Sequence, residues 1–370
     1  MEYALNTVGI AGVVGGTTLF VFFFYWLFGR LGILDKPGPD VPQRDRVPTL
    51  QGIPLLLAIF VLIAILVPQT EFWVYGSAFF GFFIGTVLIG VLSVIDELGR
   101  LVHQRYRISA KVRLLAQTLA AAGAFWVSGV GFTVLDLPGG LVIPLGPLSQ
   151  VFLTIARFWL FCNAINWFDG VYAQATGMST LGFLTISVLV GVVVFAAYPA
   201  MSPGQATLLQ HIVLVSAICA GVGLLYTVME YKPWGVVRDV GTMSLGFMLA
   251  YLTLLGGAKI GTLIVVLALP VFDAMWVIVD RIKKHKNPLK GDYSHLHFRL
   301  MALGWNRHEI RVVVWGISLC MMILMLLQGV DRAGKIVIFC MLAVVFFGIN
   351  AYLFWWKKLP SEYVPPRLRG

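Results

Sequence analysis

Charge is scarce in this sequence of 370 residues: 17 acidic and 27 basic side chains make up 12% of it, roughly half the share of an ordinary soluble domain. Apolar residues reach 59%, and the mean hydropathy is +0.88. A water-soluble fold of this length could not hide so much apolar side chain, so lipid must be the solvent for much of the chain. Cysteine is as sparse. Cys162, Cys219, Cys320 and Cys340 stand singly within apolar stretches, which excludes a disulfide framework or a thiolate metal cluster and predicts small buried hydrophobes. Internal repeats, low-complexity runs and a separate soluble domain are missing too. The first apolar run, Val8–Phe28, has no basic segment before it and no small-residue cleavage site after it, so a retained helix is expected.

What is present is a series of apolar segments of bilayer-crossing length, about 20 residues each. They fall near 7–29, 50–68, 74–95, 111–130, 148–166, 177–198, 208–229, 240–256, 260–280, 311–329 and 334–356. The fourth and eighth are the weakest, so the expected fold is an all-α polytopic membrane protein of ten or eleven transmembrane helices. Residues 1–370 then form a single integral membrane domain. Between the fourth and fifth segments, alternating apolar residues flank Pro138-Gly139-Gly140, which predicts a small extramembrane β-hairpin near 131–146.

The cations are placed unevenly on this scaffold. With eleven spans, alternate connections and the C-terminal tail hold 23 of the 27 Lys and Arg. By the positive-inside rule that side is cytoplasmic and the N-terminus lies outside. The side includes a long polar loop, 281–311, and a basic tail, 357–370. The net charge of +10 is thus explained by membrane orientation and attraction to anionic lipid; no nucleic-acid partner is expected. Arg157 falls inside a span and has no evident partner in the sequence.

Five polar clusters collect on the same side. Asp35-Lys36-Pro37 with Arg46-Val-Pro48 offers cations to an anionic ligand, or is an ordinary basic juxtamembrane loop. Asp96-Glu97 closes the third span, where neighbouring carboxylates suit a base or a cation ligand, or simply a solvated helix end. Asn163, Asn166 and Asp169 recur at intervals of three and so share a helix face, a stripe that also suits interhelical hydrogen bonding. Arg238-Asp239-Val-Gly-Thr242 opens the eighth span; Asp239 suits Mg²⁺ held against a phosphate, or an N-cap. Finally, Ser294-His295-Leu-His297-Phe-Arg299 places imidazoles beside cations in the long loop. Their i, i+2 spacing argues against a helical metal site and for phosphate contact. Acids, amides, cations and imidazoles together are an inventory for a phosphorylated, metal-bound substrate at a membrane surface.

In this order and spacing, the clusters resemble the polyprenyl-phosphate N-acetylhexosamine-1-phosphate transferase superfamily, of glycosyltransferase family 4 type. That superfamily includes undecaprenyl-phosphate N-acetylglucosamine-1-phosphate transferases and phospho-N-acetylmuramoyl-pentapeptide transferases. The resemblance runs from about residue 30 to 300 through Asp35-Lys36-Pro37, Pro48 to Gly52, Asp96-Glu97, Ile108 to Gln117, Asn163 to Gly170, Asp239 to Thr242, Pro270 with Asp273, and His295 to Phe298. It implies transfer of a sugar-1-phosphate from a UDP-sugar to polyprenyl phosphate, with Mg²⁺ (Mn²⁺ as an alternative), at the cytoplasmic face of the inner (plasma) membrane. The product would initiate cell-envelope glycan synthesis, and homodimer assembly is left open.

By the same resemblance Asp96, Glu97, Asp169, His295 and His297 are catalytic candidates. Asp239 and Asp96 would hold metal. Lys36, Arg46, Lys111, Asn163, Asn166, Tyr172, Arg238 and Arg299 would bind substrate. Two departures touch the nucleobase side. The family's second acid after Asp169-Gly170 is Tyr172 here, and its Phe-Met-Gly-Asp is Val236-Val-Arg238-Asp239. The alternative these departures raise is a catalytically weakened member acting as a lipid-binding or scaffolding protein. A transporter would place acids mid-membrane, whereas these lie at span ends.

Overall fold

The computed structural model describes residues 7–35, 46–67, 76–102, 108–136, 141–197, 200–256, 260–287, 293–327 and 332–360. Within the described residues, each of the eleven expected apolar segments is helical over most of its length. In chain order they begin with α1 (Thr7–Arg30), α2 (Gly52–Leu66), α3 (Gly76–Val102), α4 (Ala110–Ser128) and α5 (Pro147–Trp167). There follow α6 (Gln174–Ala197), α7 (Pro203–Tyr231), α8 (Arg238–Leu255), α9 (Ile260–Val266) and α10 (Ala268–Lys283). A short α11 (Leu296–Ala302) precedes α12 (Arg307–Leu327) and α13 (Arg332–Asn350), which runs on into a π-helical turn, Ala351–Trp356.

Seven helices among the described residues are long and apolar enough to cross a bilayer: α1, α3, α5, α6, α7, α12 and α13 with its terminal turn. The others differ for local reasons. α2 has 15 residues, and α4 opens on Lys111 and Arg113. The ninth segment, expected as one span, is two helices that meet at Leu267. Pro270 in the first turn of α10 lacks the N–H that would bond back to Val266, and its ring crowds that carbonyl. Apolar side chains on the outer helices face outward, including Leu19, Phe23 and Trp26 on α1 and Met341, Val344 and Val345 on α13. In water such a surface would be a liability; in lipid it needs no cover.

At the centre lies α8, in which every residue except Asp239 is buried. A helix apolar on all sides belongs inside a bundle, and α8 packs against α2, α3, α5 and α6. The crossing with α5 depends on Gly246: a Cβ there would stand 2.6 Å from the Phe161 carbonyl oxygen and 2.7 Å from the Cys162 Cα. The backbones touch because no side chain intervenes. Phe158 stacks on Phe247 in the same interface, ring centres 4.6 Å apart.

Two small antiparallel ribbons complete the fold. The expected hairpin is present as β3 (Val134–Asp136) and β4 (Val142–Pro144), with Leu135 opposite Ile143. The sequence reading did not foresee the second, β1 (Leu34–Asp35) with β2 (Val47–Pro48). It lies at the end of α1 and is tied to the loop before α8, where the Val236 N–H donates to the Pro48 carbonyl at 2.9 Å. The stretch 281–311, expected as a loop, folds in part as α11, with His295 at its N-cap position.

Candidate active site

The polar clusters converge where α3 and α5 end and α4 and α8 begin. Arg113, in the first turn of α4, reaches two carboxylates. One Nη lies 2.5 Å from Asp96 Oδ2 and the other 3.4 Å from Asp239 Oδ2. The fork of the guanidinium suits such a bridge, since each carboxylate meets its own Nη. Asp96 also accepts the Ile108 N–H at 2.7 Å, so the chain entering α4 is fastened to the end of α3. Asp239 receives the Asn166 amide at 3.0 Å, and that amide also donates to Thr242 Oγ1 at 2.9 Å. Arg100, one turn after Glu97 on α3, stands 3.7 Å from Asp239. Two acids on separate helices, two arginines and an amide thus form one centre.

Glu97 adjoins this centre, its Oε2 4.0 Å from Arg100, and is buried at 3% exposure. The Thr49 hydroxyl donates to its Oε1, as does the Leu50 N–H at 3.4 Å. It therefore anchors the ribbon β1–β2 against α3. Arg238 donates to Asp35 on that ribbon and lies over the Tyr172 ring at 5.5 Å. Burial would lower the Arg238 pKa, but Asp35 and then Asp169 outweigh it and hold it above its ordinary value. The two departures from the family pattern, Tyr172 and Arg238, are therefore in contact. Arg307 of α12 takes another position on the Tyr172 ring at 5.2 Å.

Behind the site sits a residue missed in the sequence, Glu230 at the end of α7. Its carboxylate accepts the Ala173 N–H at 3.2 Å, the Thr176 hydroxyl at 2.8 Å and the Val237 N–H at 2.9 Å. Ala173 and Arg238 both adopt positive φ, 68° and 49°. A left-handed backbone is costly for a residue with a side chain, and Glu230 fixes both turns from below.

The imidazoles form a second group beside the first. His295 Nδ1 pairs with Asp273 Oδ2 at 2.8 Å, and the other Asp273 oxygen accepts the Leu296 N–H at 2.7 Å and Arg299 Nη2 at 3.0 Å. His297 lies parallel to His295, centres 5.9 Å apart, and has no hydrogen bond among the described residues. It presses on the Asp169-Gly170 turn: a Cβ on Gly170 would fall 1.7 Å from His297 Nε2. Burial, helped by the charge of His295, pushes its pKa down to about 3, so the ring is neutral.

Not every expected residue joins the centre. Lys111 is exposed and, among the described residues, no hydrogen bond or ion pair links it to the cluster. Two positions along α4, Arg113 is the cation that pairs with Asp96 and Asp239. Arg46 is exposed as well, and Lys36 lies outside the described residues. Asn163 exchanges hydrogen bonds with Gln117 at 2.8 and 3.4 Å, and among the described residues none links it to Asp96 or Asp239. Asp169 does not continue the helical stripe, because α5 ends at Trp167 and Asp169 belongs to the following turn. Arg157 donates to Thr253 and lies over the Phe132 ring at 5.1 Å, under the β3–β4 hairpin.

The donor chemistry fits a hard divalent cation. Asp239 and Asp96 offer carboxylate oxygens, with the Asn166 amide adjoining. No group of three acid, His or Cys side chains able to hold a metal occurs among the described residues. The remaining positions would fall to phosphate and water, which is the habit of Mg²⁺ in phosphoryl-transfer sites.

Fold and site define a polytopic membrane protein with an acid–arginine centre at one end of its helical bundle. The model of the family described as glycosyl transferase family 4 matches residues 79–257, from α3 through α8, and so contains Asp96, Arg113, Asn166 and Asp239. The chain is 28% identical over 300 residues to a probable undecaprenyl-phosphate N-acetylglucosaminyl 1-phosphate transferase of Bacillus subtilis, covering 77% of this chain and 74% of the relative. It is 23% identical over 313 residues to the undecaprenyl-phosphate alpha-N-acetylglucosaminyl 1-phosphate transferase of Escherichia coli K12, covering 80% and 77%. A decaprenyl-phosphate N-acetylglucosaminephosphotransferase of Mycolicibacterium smegmatis is 24% identical, covering 77% and 73%. These matches bear out the resemblance to the polyprenyl-phosphate N-acetylhexosamine-1-phosphate transferase superfamily.

Proposed function

We propose that the chain transfers N-acetylhexosamine-1-phosphate from a UDP-linked sugar to polyprenyl phosphate at the cytoplasmic face of the plasma membrane, with Mg²⁺. The names of its relatives support the acceptor and the transferred group. The observation that carries the reading is Arg113 bridging Asp96 and Asp239, with Asn166 on the second acid. In the reaction an oxygen of the acceptor phosphate bonds to the sugar-bearing phosphorus of the donor. The bond from that phosphorus to the nucleoside monophosphate breaks, releasing UMP and leaving a polyprenyl diphosphate sugar.

Bringing two phosphate groups together is the obstacle. A pair of like charges at about 4 Å costs on the order of 4 kcal/mol at an effective dielectric near 20, and several such pairs meet. Arg113 and Arg100 lie where they can offset that repulsion and hold the reacting groups in line. Asp239 and Asp96 would hold Mg²⁺, which supplies further neutralisation of the transferred phosphoryl group. Asp96 is also the candidate base for a proton carried by the acceptor. Tyr172 and Arg238, with Arg307 beyond them, would read the donor. His295, oriented by Asp273, would contact its phosphate or sugar.

The weakened-member reading rests on the same Tyr172–Arg238 contact, which occupies the side expected to read the base. A panel of nucleotide-sugars incubated with purified protein, Mg²⁺ and undecaprenyl phosphate separates the two. Release of UMP from a uridine donor supports the proposal. If all uridine donors fail while another nucleotide works, the donor assignment falls; if none works, the scaffold reading takes its place.

A further inference from the structure

The imidazole group is held from an unexpected direction. The π-helical turn Ala351–Trp356, far along the chain from the matched region, folds back on the end of α10. Trp355 Nε1 donates to Asp280 Oδ1 at 3.1 Å, while Lys284 pairs with the other oxygen of Asp280 at 2.7 Å. Lys283 Nζ lies 3.3 Å from the centre of a Trp355 ring. The indole stacks on Trp276, centres 4.4 Å apart at 23°, and Trp276 is 1% exposed.

From Trp276 the contacts lead to the histidines. The Arg299 guanidinium is 5.5 Å from the Trp276 ring and 5.5 Å from that of Phe354. It donates to the Ser294 carbonyl at 2.9 Å and to Asp273 at 3.0 Å. Asp273 in turn holds His295 through Nδ1, which leaves Nε2 as the remaining ring nitrogen. A hydrogen bond at one imidazole nitrogen fixes the tautomer and aim of the other. Arg299 is fully buried, and two aromatic faces suit a desolvated guanidinium better than a gap would.

We propose that Phe354 and Trp355 are positioning residues for the transfer reaction: the C-terminal turn holds Arg299, and through Asp273 sets the aim of His295. The inference rests on the transferase reading for its kinetic consequence, though not for its geometry. Both aromatics act at one remove, through Arg299 and Asp273. The phosphate that His295 would contact changes its charge only as transfer proceeds, so removal of the aromatics changes turnover more than donor binding.

The test uses full-length protein in nanodiscs, as wild type, Trp355→Ala, Trp355→Phe and Arg299→Lys. Trp355→Ala is expected to lower kcat about tenfold with donor KM little changed, and Trp355→Phe to restore most of the loss. Carbethoxylation of His295 by diethyl pyrocarbonate, read by mass spectrometry, should rise several-fold in Trp355→Ala. Arg299→Lys, which keeps the charge without the fork, should give the same signature and serves if Trp355→Ala fails to fold. Unchanged kcat and unchanged His295 modification would overturn the proposal, as would equal impairment of the Ala and Phe variants. If the wild type itself releases no nucleoside monophosphate, the transferase reading falls, and the carbethoxylation comparison alone decides the positioning.

Discussion

Asn166 donates to Asp239 at 3.0 Å across 73 positions of sequence, joining the end of one helix to the start of the central one. The amide cannot be replaced by a carboxylate without setting two like charges together, nor by an apolar residue without removing the donor on Asp239 Oδ1. Asn166→Ala should therefore lower kcat/KM by about ten- to a hundredfold, the worth of a hydrogen bond to a charged group. Asn166→Asp should be worse. Steady-state release of nucleoside monophosphate measures both; equal rates for the two variants would contradict the assignment.

Arg113 is predicted to be intolerant of lysine. An ammonium would have to serve Asp96 and Asp239 from one nitrogen on a shorter head, where the guanidinium uses two. Arg113→Lys should lose at least about tenfold in turnover, whereas Lys111→Ala, at an exposed position two residues earlier, should stay within about twofold. The pair of variants, assayed side by side, distinguishes a specific fork from a general basic surface.

His297 makes stability depend on acid. In the folded protein its pKa is near 3, while in the unfolded chain it is about 6.5. Above pH 6.5 neither state binds the proton and nothing is lost. As pH falls from 6.5 toward 3 the unfolded chain takes it up and the folded one does not, so stability declines, by about 2 kcal/mol at pH 5. Thermal unfolding at pH 7 and pH 5 should show a larger drop for wild type than for His297→Gln, and identical drops would count against a neutral, buried ring.

Gly170→Ala should be destabilising, since its Cβ would enter the His297 ring. Overpacking of this kind costs about 1–3 kcal/mol. Adding His297→Ala makes room for the methyl and should restore part of that stability, a non-additivity visible in a double-mutant cycle. Simple additivity would mean that the turn and the ring move apart freely.

The membrane class, the helical segments and the hairpin near 131–146 were legible because burial in lipid imposes long apolar runs and turn chemistry is local. Asp96, Asn166 and Asp239 were legible as polar residues at span ends, where lipid contact explains nothing. Arg113 and Arg100 were not singled out, because in sequence they are two cations among many on a basic face. Only the packing of α3, α4 and α8 tells which guanidinium turns inward. Glu230 escaped for a related reason: its partners are mostly backbone N–H groups, which leave no pattern in side-chain types. The break at Leu267 could have been read from Pro270, a residue noted only as part of the family's motif. The part of the C-terminal turn was hidden altogether, since stacking of Trp355 on Trp276 depends on how distant helices lie together.

The account turns on Asp239. With purified protein, Mg²⁺, undecaprenyl phosphate and UDP-N-acetylglucosamine, wild type should release UMP. Asp239→Asn, which keeps shape but removes the charge, should reduce that release by at least about a hundredfold while leaving the protein folded. Wild-type turnover together with near-normal turnover of Asp239→Asn would contradict the proposed centre.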